Sequence, residues 1–114
     1  MKSDNSKFSH VYTLVKKIPE GRVATYGQIS SMLNEKWQMK NDSRGITPRV
    51  VGWALHANKD SNVPCHRVVN GKGGLAPNFA FNGYKEQRRR LITEGVDFVD
   101  EMHVDLGKHL WQMK

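Results

Sequence analysis

The chain has 114 residues and a formal net charge of +7, from 18 Lys or Arg against 11 Asp or Glu. This length suits one domain with a single core, and the single cysteine excludes an internal disulfide, so a reducing compartment is expected. The positive excess favours a polyanionic partner, with nucleic acid as the leading candidate and simple solubility as the alternative.

Residues 1–7 are polar and lack the apolar stretch of a signal peptide, so we expect a flexible tail ahead of one domain at 8–114. No apolar run approaches the roughly 20 residues that span a membrane. The protein is therefore expected to be an intracellular, cytoplasmic monomer (nuclear in a eukaryote) without membrane contact.

The first helix is predicted over residues 8–17, ended by a turn at 18–21. Its apolar positions recur at helical spacing and would face the core. They are Phe8, Val11, Tyr12, Leu14 and Val15.

A second helix is predicted from Thr25 and Gln28, which are spaced as in a capping box, and it runs through Leu33. A long polar loop is expected over 34–46. Trp37 lies in this loop and has no assigned role.

The third helix is predicted to start at Thr47 and Pro48, as N-cap and first helical residue, and to end near Asn58. Two short helices joined by a loop suggest a helix-turn-helix. Trp53, inside the third helix, is interpreted as a packing residue.

In the C-terminal half, β-prone residues at 67–69 and turn signals at 70–74 predict a small wing or hairpin. Residues 84–94 predict a helix that stops at Gly95. The apolar tail from 104 to 111 would dock on the core. The expected fold is therefore mostly α with a small β element, a single winged helix-turn-helix domain.

The motif Pro64–Val69 sets the lone cysteine, Cys65, beside a base and a cation, His66 and Arg67. A thiolate is the nucleophilic form of cysteine and is stabilised by positive charge. The alternative is a small buried hydrophobe. Consecutive side chains of a strand face opposite sides, so Cys65 and His66 can cooperate only through a turn or a bridging water. The five histidines and the cysteine lack the paired spacings of structural zinc, so no metal is expected.

Four ordered blocks of the sequence resemble the C-terminal domain of the O6-alkylguanine-DNA alkyltransferases, also called methylated-DNA–protein-cysteine methyltransferases. They cover most of the chain between about residues 8 and 96. The blocks are Gly21–Gly27, Arg49–Leu55 followed by Asn58, Pro64–Val68, and Leu91–Gly95.

The resemblance implies a role for each matching residue of a catalytic site. Cys65 would accept the alkyl group, and His66 would draw off the thiol proton through a water. Glu94 would orient His66, and Asn58 would brace the turn that holds Cys65. Tyr26 would hydrogen-bond the flipped guanine. No cofactor is implied.

The resemblance also implies an interface with the DNA minor groove, formed by the third helix. Arg49 would fill the gap that the flipped nucleotide leaves, and Thr47, Pro48 and Gly52 would lie close to the DNA. Val68 would offer backbone contacts to the base.

The chain departs from the family pattern at 76–83, where relatives have a Tyr-Ser-Gly-Gly type loop that closes over the base. Phe81 or Phe79 would replace this loop by stacking. Short length and the run Glu86–Leu91 resemble another branch, the alkyltransferase-like proteins. These bind alkylated guanine without accepting the alkyl group, and most carry Trp at the position of Cys65.

The resemblance therefore predicts a DNA repair protein that binds duplex DNA containing O6-alkylguanine and transfers the alkyl group irreversibly to Cys65. The alternative is a damage sensor that binds the lesion without transfer and recruits other proteins, such as those of nucleotide-excision repair. A thiol hydrolase built on Cys65, His66 and Glu94 is a third reading, which the basic charge opposes. Individually, Arg49 and Glu94 could be solvated charges and Tyr26 a packing residue.

Overall fold

Three helices, α1 (Ser3–Val15), α2 (Tyr26–Lys36) and α3 (Pro48–Ala57), build the main core in the computed structural model. The model describes residues 3–36, 46–77 and 83–112. Helix α1 begins at Ser3, five residues before the predicted start, so residues 3–7 are helical where a tail was expected. Ser3, Asp4 and Asn5 are residue types that favour helix starts, a signal that the sequence analysis did not use.

The predicted start signals of α2 and α3 are confirmed. The Oγ1 atom of Thr25 accepts from the backbone N–H of Gln28 at 3.1 Å, and the Gln28 side chain accepts from the N–H of Thr25 at 2.9 Å. Thr47 is the N-cap of α3, accepting from the N–H of Val50 at 3.2 Å, and Pro48 follows it. Both helix starts are therefore held by hydrogen bonds that span only three residues.

The side chain of Asn34 fixes α3 against α2. Its amide donates to the carbonyl of Ile46 and accepts from the N–H of the same residue, both at 2.8 Å. Ile46 is 1% exposed and belongs to the core cluster of the three helices. Asn34 thus acts as a clamp that sets where α3 begins. Trp37, in the predicted loop, lies outside the described residues.

The small β element differs from the predicted hairpin. Strand β1 (Ala24–Thr25) pairs in parallel with β2 (Val68–Val69), with Ala24 opposite Val68. The turn at 70–74 is present, but the antiparallel hairpin of the fold is β3 (Phe98–Asp100) with β4 (His103–Val104). Local turn signals could not predict this pairing, because the partner of β2 lies more than 40 residues earlier in the chain.

The C-terminal part forms a second small core. Helix α4 (Gly83–Thr93) ends as predicted at Gly95, whose φ of +87° suits glycine. After β4, helix α5 (Leu106–His109) leads to Trp111, whose N–H donates to the carbonyl of Val23 at 2.7 Å. The predicted docking of the tail is therefore confirmed. Within the described residues, no helix is long and apolar enough to cross a membrane.

Replacing Asn34 by Ala should lower the free energy of unfolding by about 1–3 kcal/mol, because the N–H and carbonyl of buried Ile46 lose their partner. Urea unfolding followed by circular dichroism measures this. The exposed neighbour Glu35, replaced by Ala, is the matched control and should change stability little. Equal stability of the two variants would show that the clamp does not hold α3.

Candidate active site

The lone cysteine lies in a tight turn and not in a strand. Pro64 has φ −79° and ψ 68°, an inverse γ-turn, and the N–H of Cys65 donates to the carbonyl of Val63 at 2.7 Å. A 3₁₀ turn then spans Cys65–Arg67. Of the two arrangements that the sequence allowed, the turn is present, so Cys65 and His66 are not held on opposite faces of a strand.

The Cys65 thiol is buried, with the residue 5% exposed. Its Sγ accepts a hydrogen bond from Nδ2 of Asn58 at 3.1 Å and lies 3.8 Å from the carbonyl oxygen of Leu55. Burial raises the pKa of the thiol, and the hydrogen bond from Asn58 opposes this only in part. Cys65 is therefore a neutral thiol in the free protein.

Asn58 connects α3 to this turn. It is the C-cap of α3, and its Nδ2 also donates to the carbonyl of Asp60 at 2.9 Å. Its Oδ1 accepts from the N–H of Asp60 at 3.0 Å, and the Asp60 carbonyl accepts from Val63 at 3.1 Å. The end of α3, the loop and Sγ are thus joined by one amide side chain.

The carboxylate of Glu94 accepts hydrogen bonds from two side chains of the turn that holds Cys65, those of His66 and Arg67. Its Oε2 lies 2.8 Å from Nε2 of His66 and 2.8 Å from a terminal nitrogen of Arg67, whose Nε donates to Oε1 at 3.0 Å. Arg67 also donates to the carbonyl of Ile18 at 2.8 Å. Burial alone would raise the pKa of Glu94, but the hydrogen bonds from Arg67 and His66 outweigh it and keep the pKa below its usual range. Glu94 is therefore a carboxylate at neutral pH.

The ionised Glu94 fixes the tautomer of His66. A carboxylate only accepts, so Nε2 of His66 carries the hydrogen and Nδ1 is the basic atom. Burial lowers the pKa of His66 despite the opposing attraction of Glu94, so the ring is neutral. Nδ1 is buried and has no hydrogen-bond partner within the described part of the chain. His66 thus presents an unused proton acceptor, one residue after the thiol.

Tyr26, the first residue of α2, is half-buried against the core cluster that includes Cys65. Burial raises the pKa of its hydroxyl, and the nearby Cys65 adds to this. The hydroxyl therefore keeps its hydrogen as a donor at neutral pH.

The backbone around Val68 is held by the fully buried side chain of Gln87. Its Nε2 donates to the carbonyls of His66 and Val68 at 3.2 and 3.1 Å, and its Oε1 accepts from Ala76 at 2.8 Å. A carbonyl has two lone pairs, so that of Val68 can accept a further hydrogen bond.

The solvent face of α3 carries the residues predicted to approach DNA. Thr47, Pro48 and Arg49 are exposed at its start. At Gly52, no described atom lies within 4 Å of the position that a Cβ would take. Trp53 is 58% exposed, so the interpretation of Trp53 as a packing residue is wrong.

Arg49 differs from two of the three arginines of α4. Arg89 and Arg90 pair with Glu86 at 2.6 and 2.8 Å, whereas Arg49 forms no ion pair with any residue that the structure describes. Its charge is consequently available to a partner.

One residue of the site was missed in the sequence, and another was given the wrong contact. Arg67 was expected to support the thiolate but binds Glu94 instead, because the 3₁₀ turn directs it towards α4. Its place inside the motif was a usable signal. Gln87 gave none, since a glutamine on a polar helix is ordinarily solvated.

Phe79 and Phe81, expected to stack on a base, lie outside the described residues. Among the residues that are described, no group of three or more His, Cys, Asp or Glu side chains could hold a metal ion.

Comparisons with known proteins identify what the chain is similar to. The profile of the family "6-O-methylguanine DNA methyltransferase, DNA binding domain" matches residues 6–96. "Alkyltransferase-like protein 1" of Schizosaccharomyces pombe is 31% identical over 110 residues, 92% of this chain and 94% of that protein. The "Methylated-DNA--protein-cysteine methyltransferase" of Saccharolobus solfataricus is 42% identical over 89 residues, but this chain spans only 48% of its length.

Among solved structures, S. pombe Atl1 in complex with damaged DNA containing O6-carboxymethylguanine matches with a TM-score of 0.74 at 29% identity. The match covers 96% of this chain and 97% of that one. The likeness extends over the described core as well as the sequence motifs.

The rate at which iodoacetamide alkylates Cys65 should rise with pH, with a midpoint above the ordinary thiol value of about 8.5, because burial raises the pKa. Asn58→Ala should move the midpoint higher still, because the thiolate loses a hydrogen-bond donor. Intact mass spectrometry measures the rate, since the chain has one cysteine. Asn62→Ala, in the same exposed loop, is the control. A midpoint at or below 8.5 would contradict the burial argument.

Proposed function

The chain belongs to the family of 6-O-methylguanine DNA methyltransferase DNA-binding domains, and on that premise we propose that it transfers the alkyl group of O6-alkylguanine in DNA to Cys65. Its family makes it a DNA-binding protein of O6-alkylguanine repair. One observation carries the transfer proposal. His66, in the turn that holds the only cysteine, forms a hydrogen bond of 2.8 Å with Glu94.

Reaction requires that the nucleotide leave the duplex, because a stacked base cannot present its O6 substituent to a side chain. Flipping costs a few kcal/mol, which phosphate contacts to a protein of net charge +7 can offset. Arg49 supports this step, because its planar cation is exposed at the start of α3 and can stack in the gap and hydrogen-bond the orphaned base. Around Arg49, the short side chains of Thr47 and Pro48 and the absence of one at Gly52 let a duplex approach the helix closely.

Activation of the thiol follows from the protonation states. Cys65 starts as a thiol, and Nδ1 of neutral His66 is the available base. The proton passes from Sγ to Nδ1 through a water, and Glu94 stabilises the imidazolium that forms. Arg67 holds Glu94 in place, and Asn58 donates to the new thiolate.

The thiolate then attacks the alkyl carbon, so that an S–C bond forms as the C–O6 bond breaks and its electron pair passes to the guanine. Tyr26 donates a hydrogen bond to the base as this negative charge develops, where donors help most. The Val68 carbonyl helps to hold the base. The leaving guanine anion takes up a proton from water, and the imidazolium of His66 returns the thiol proton to water, so that protons and charge balance. The product is a thioether without a carbonyl for water to attack, so each molecule reacts once.

A damage sensor without transfer is the second candidate function, and the burial of the thiol favours it. Cys65 is 5% exposed with a raised pKa, so transfer requires that DNA binding uncover Sγ. The likeness to the alkyltransferase-like protein of S. pombe also covers 92% of the residues of this chain, against 75% for the methyltransferase of S. solfataricus. A sensor would bind the lesion through the same face of α3 and would act by recruiting other repair proteins.

Incubation with a duplex containing O6-methylguanine should add one methylene unit to the protein mass, and Cys65→Ser should abolish the gain. Intact mass spectrometry decides between the two candidates. An unchanged mass together with tight, lesion-specific binding would establish the sensor and exclude the transferase.

In a Cys65→Ser background, which leaves the lesion unrepaired, Arg49→Ala should lower the preference for O6-methylguanine duplex over undamaged duplex about ten-fold, as expected for a lost stacking contact. Fluorescence anisotropy of labelled duplexes measures both affinities. Arg89→Ala removes the same charge from a residue paired with Glu86, and it should leave the ratio unchanged. An unaltered ratio in Arg49→Ala would remove its gap-filling role.

A further inference from the structure

Trp53 is a large aromatic side chain that the described part of the fold leaves more than half exposed. It is 58% exposed in the middle of α3, whereas the neighbouring apolar residues of that helix, Val51, Ala54 and Leu55, are buried. Single exposed aliphatic residues are common on protein surfaces, but an exposed tryptophan carries far more apolar area and an indole N–H donor. Its position therefore calls for a partner outside the chain.

The surroundings of Trp53 are those of a nucleic-acid contact. Residues four apart on a helix are surface neighbours, so Arg49 and Trp53 lie side by side, with Gly52 next to them. The space at Gly52 is open, and the exposed His56 follows one turn further along the same side of α3. A cation attracts phosphates, and an aromatic ring can stack on bases. The pair therefore suits a nucleic acid better than an apolar protein surface.

Trp53 also lies between the two ends of α3 that the proposed reaction uses. It is about 6 Å along the helix axis from Arg49 and about 7.5 Å from Asn58, which touches the thiol. Trp53 therefore lies one turn beyond Arg49 on the same exposed face, towards the end of α3 that contacts the thiol.

We propose that Trp53 is a second DNA-contacting residue, whose ring packs in the minor groove against the base step opened by the departing nucleotide. Apolar wedges that fill partly unstacked steps stabilise bent or opened duplexes in this way. The assignment rests on the proposed function, because the step opens only when a base is flipped.

In a Cys65→Ser background, which leaves the lesion unrepaired, Trp53→Ala should weaken binding to O6-methylguanine duplex about ten-fold, in the range of aromatic–base stacking contacts. Binding to undamaged duplex should stay close to that of the wild type, because phosphate contacts supply it. Trp53→Phe keeps an aromatic ring and should retain most of the lesion affinity. Since Trp53 is uncharged, the slope of log affinity against log salt should not change in either variant.

Tryptophan fluorescence supplies a direct readout. Saturation with lesion duplex should quench the wild-type emission more than that of Trp53→Phe, since the wild type alone has the indole at the interface. Equal melting temperatures of Trp53→Ala and the wild type would show that the fold is intact.

Three results would overturn the assignment. Wild-type lesion affinity in Trp53→Ala would show that the ring does not contact the lesion complex. Equal losses on the two duplexes would place it away from the opened step. If the wild-type protein itself shows no preference for the lesion, the proposed function fails and the Trp53 assignment fails with it, an outcome distinct from the first two.

Discussion

The Glu94 carboxylate is the interaction on which the arrangement of the site depends. It accepts from His66 and Arg67, and thereby joins the end of α4 to the turn that contains Cys65. Arg67 extends the connection to the carbonyl of Ile18, after the end of α1. Three segments distant in sequence are held at one ionised group, which also decides that Nδ1 of His66 is the basic nitrogen. A partly buried carboxylate of this kind is stabilised by having both partners present.

Helix α3 connects this chemistry to the surface. Its C-cap, Asn58, touches the thiol, and its exposed start carries Arg49. The Cys65 thiol meanwhile is covered and protonated in the free protein. Burial raises the pKa of the thiol, and in the proposed reaction this makes deprotonation depend on the neighbouring histidine. In the proposed reaction, recognition of DNA and reactivity of the thiol are thus linked through one short helix and its cap.

Features fixed by neighbouring residues could be predicted from the sequence. The capping pair of Thr25 and Gln28, the start of α3 at Thr47 and the stop of α4 at Gly95 are all present. Each depends on hydrogen bonds or a backbone angle within a few residues, so the local sequence contains all that is needed. The family resemblance added the grouping of Cys65, His66 and Glu94, whose catalytic roles remain predictions.

Tertiary structure alone decided the remainder. The parallel pairing of β1 with β2, the attachment of Arg67 to Glu94 and the burial of Gln87 join residues separated by 19 to 44 positions, which no local pattern records. The exposure of Trp53 was likewise decided by packing, because an apolar residue in a helix is ordinarily assigned to the core until its neighbours are known. The sequence thus determined where helices begin and end and which residue types the site contains. Only the folded chain set which of them touch, because long-range contacts depend on how all the elements pack together.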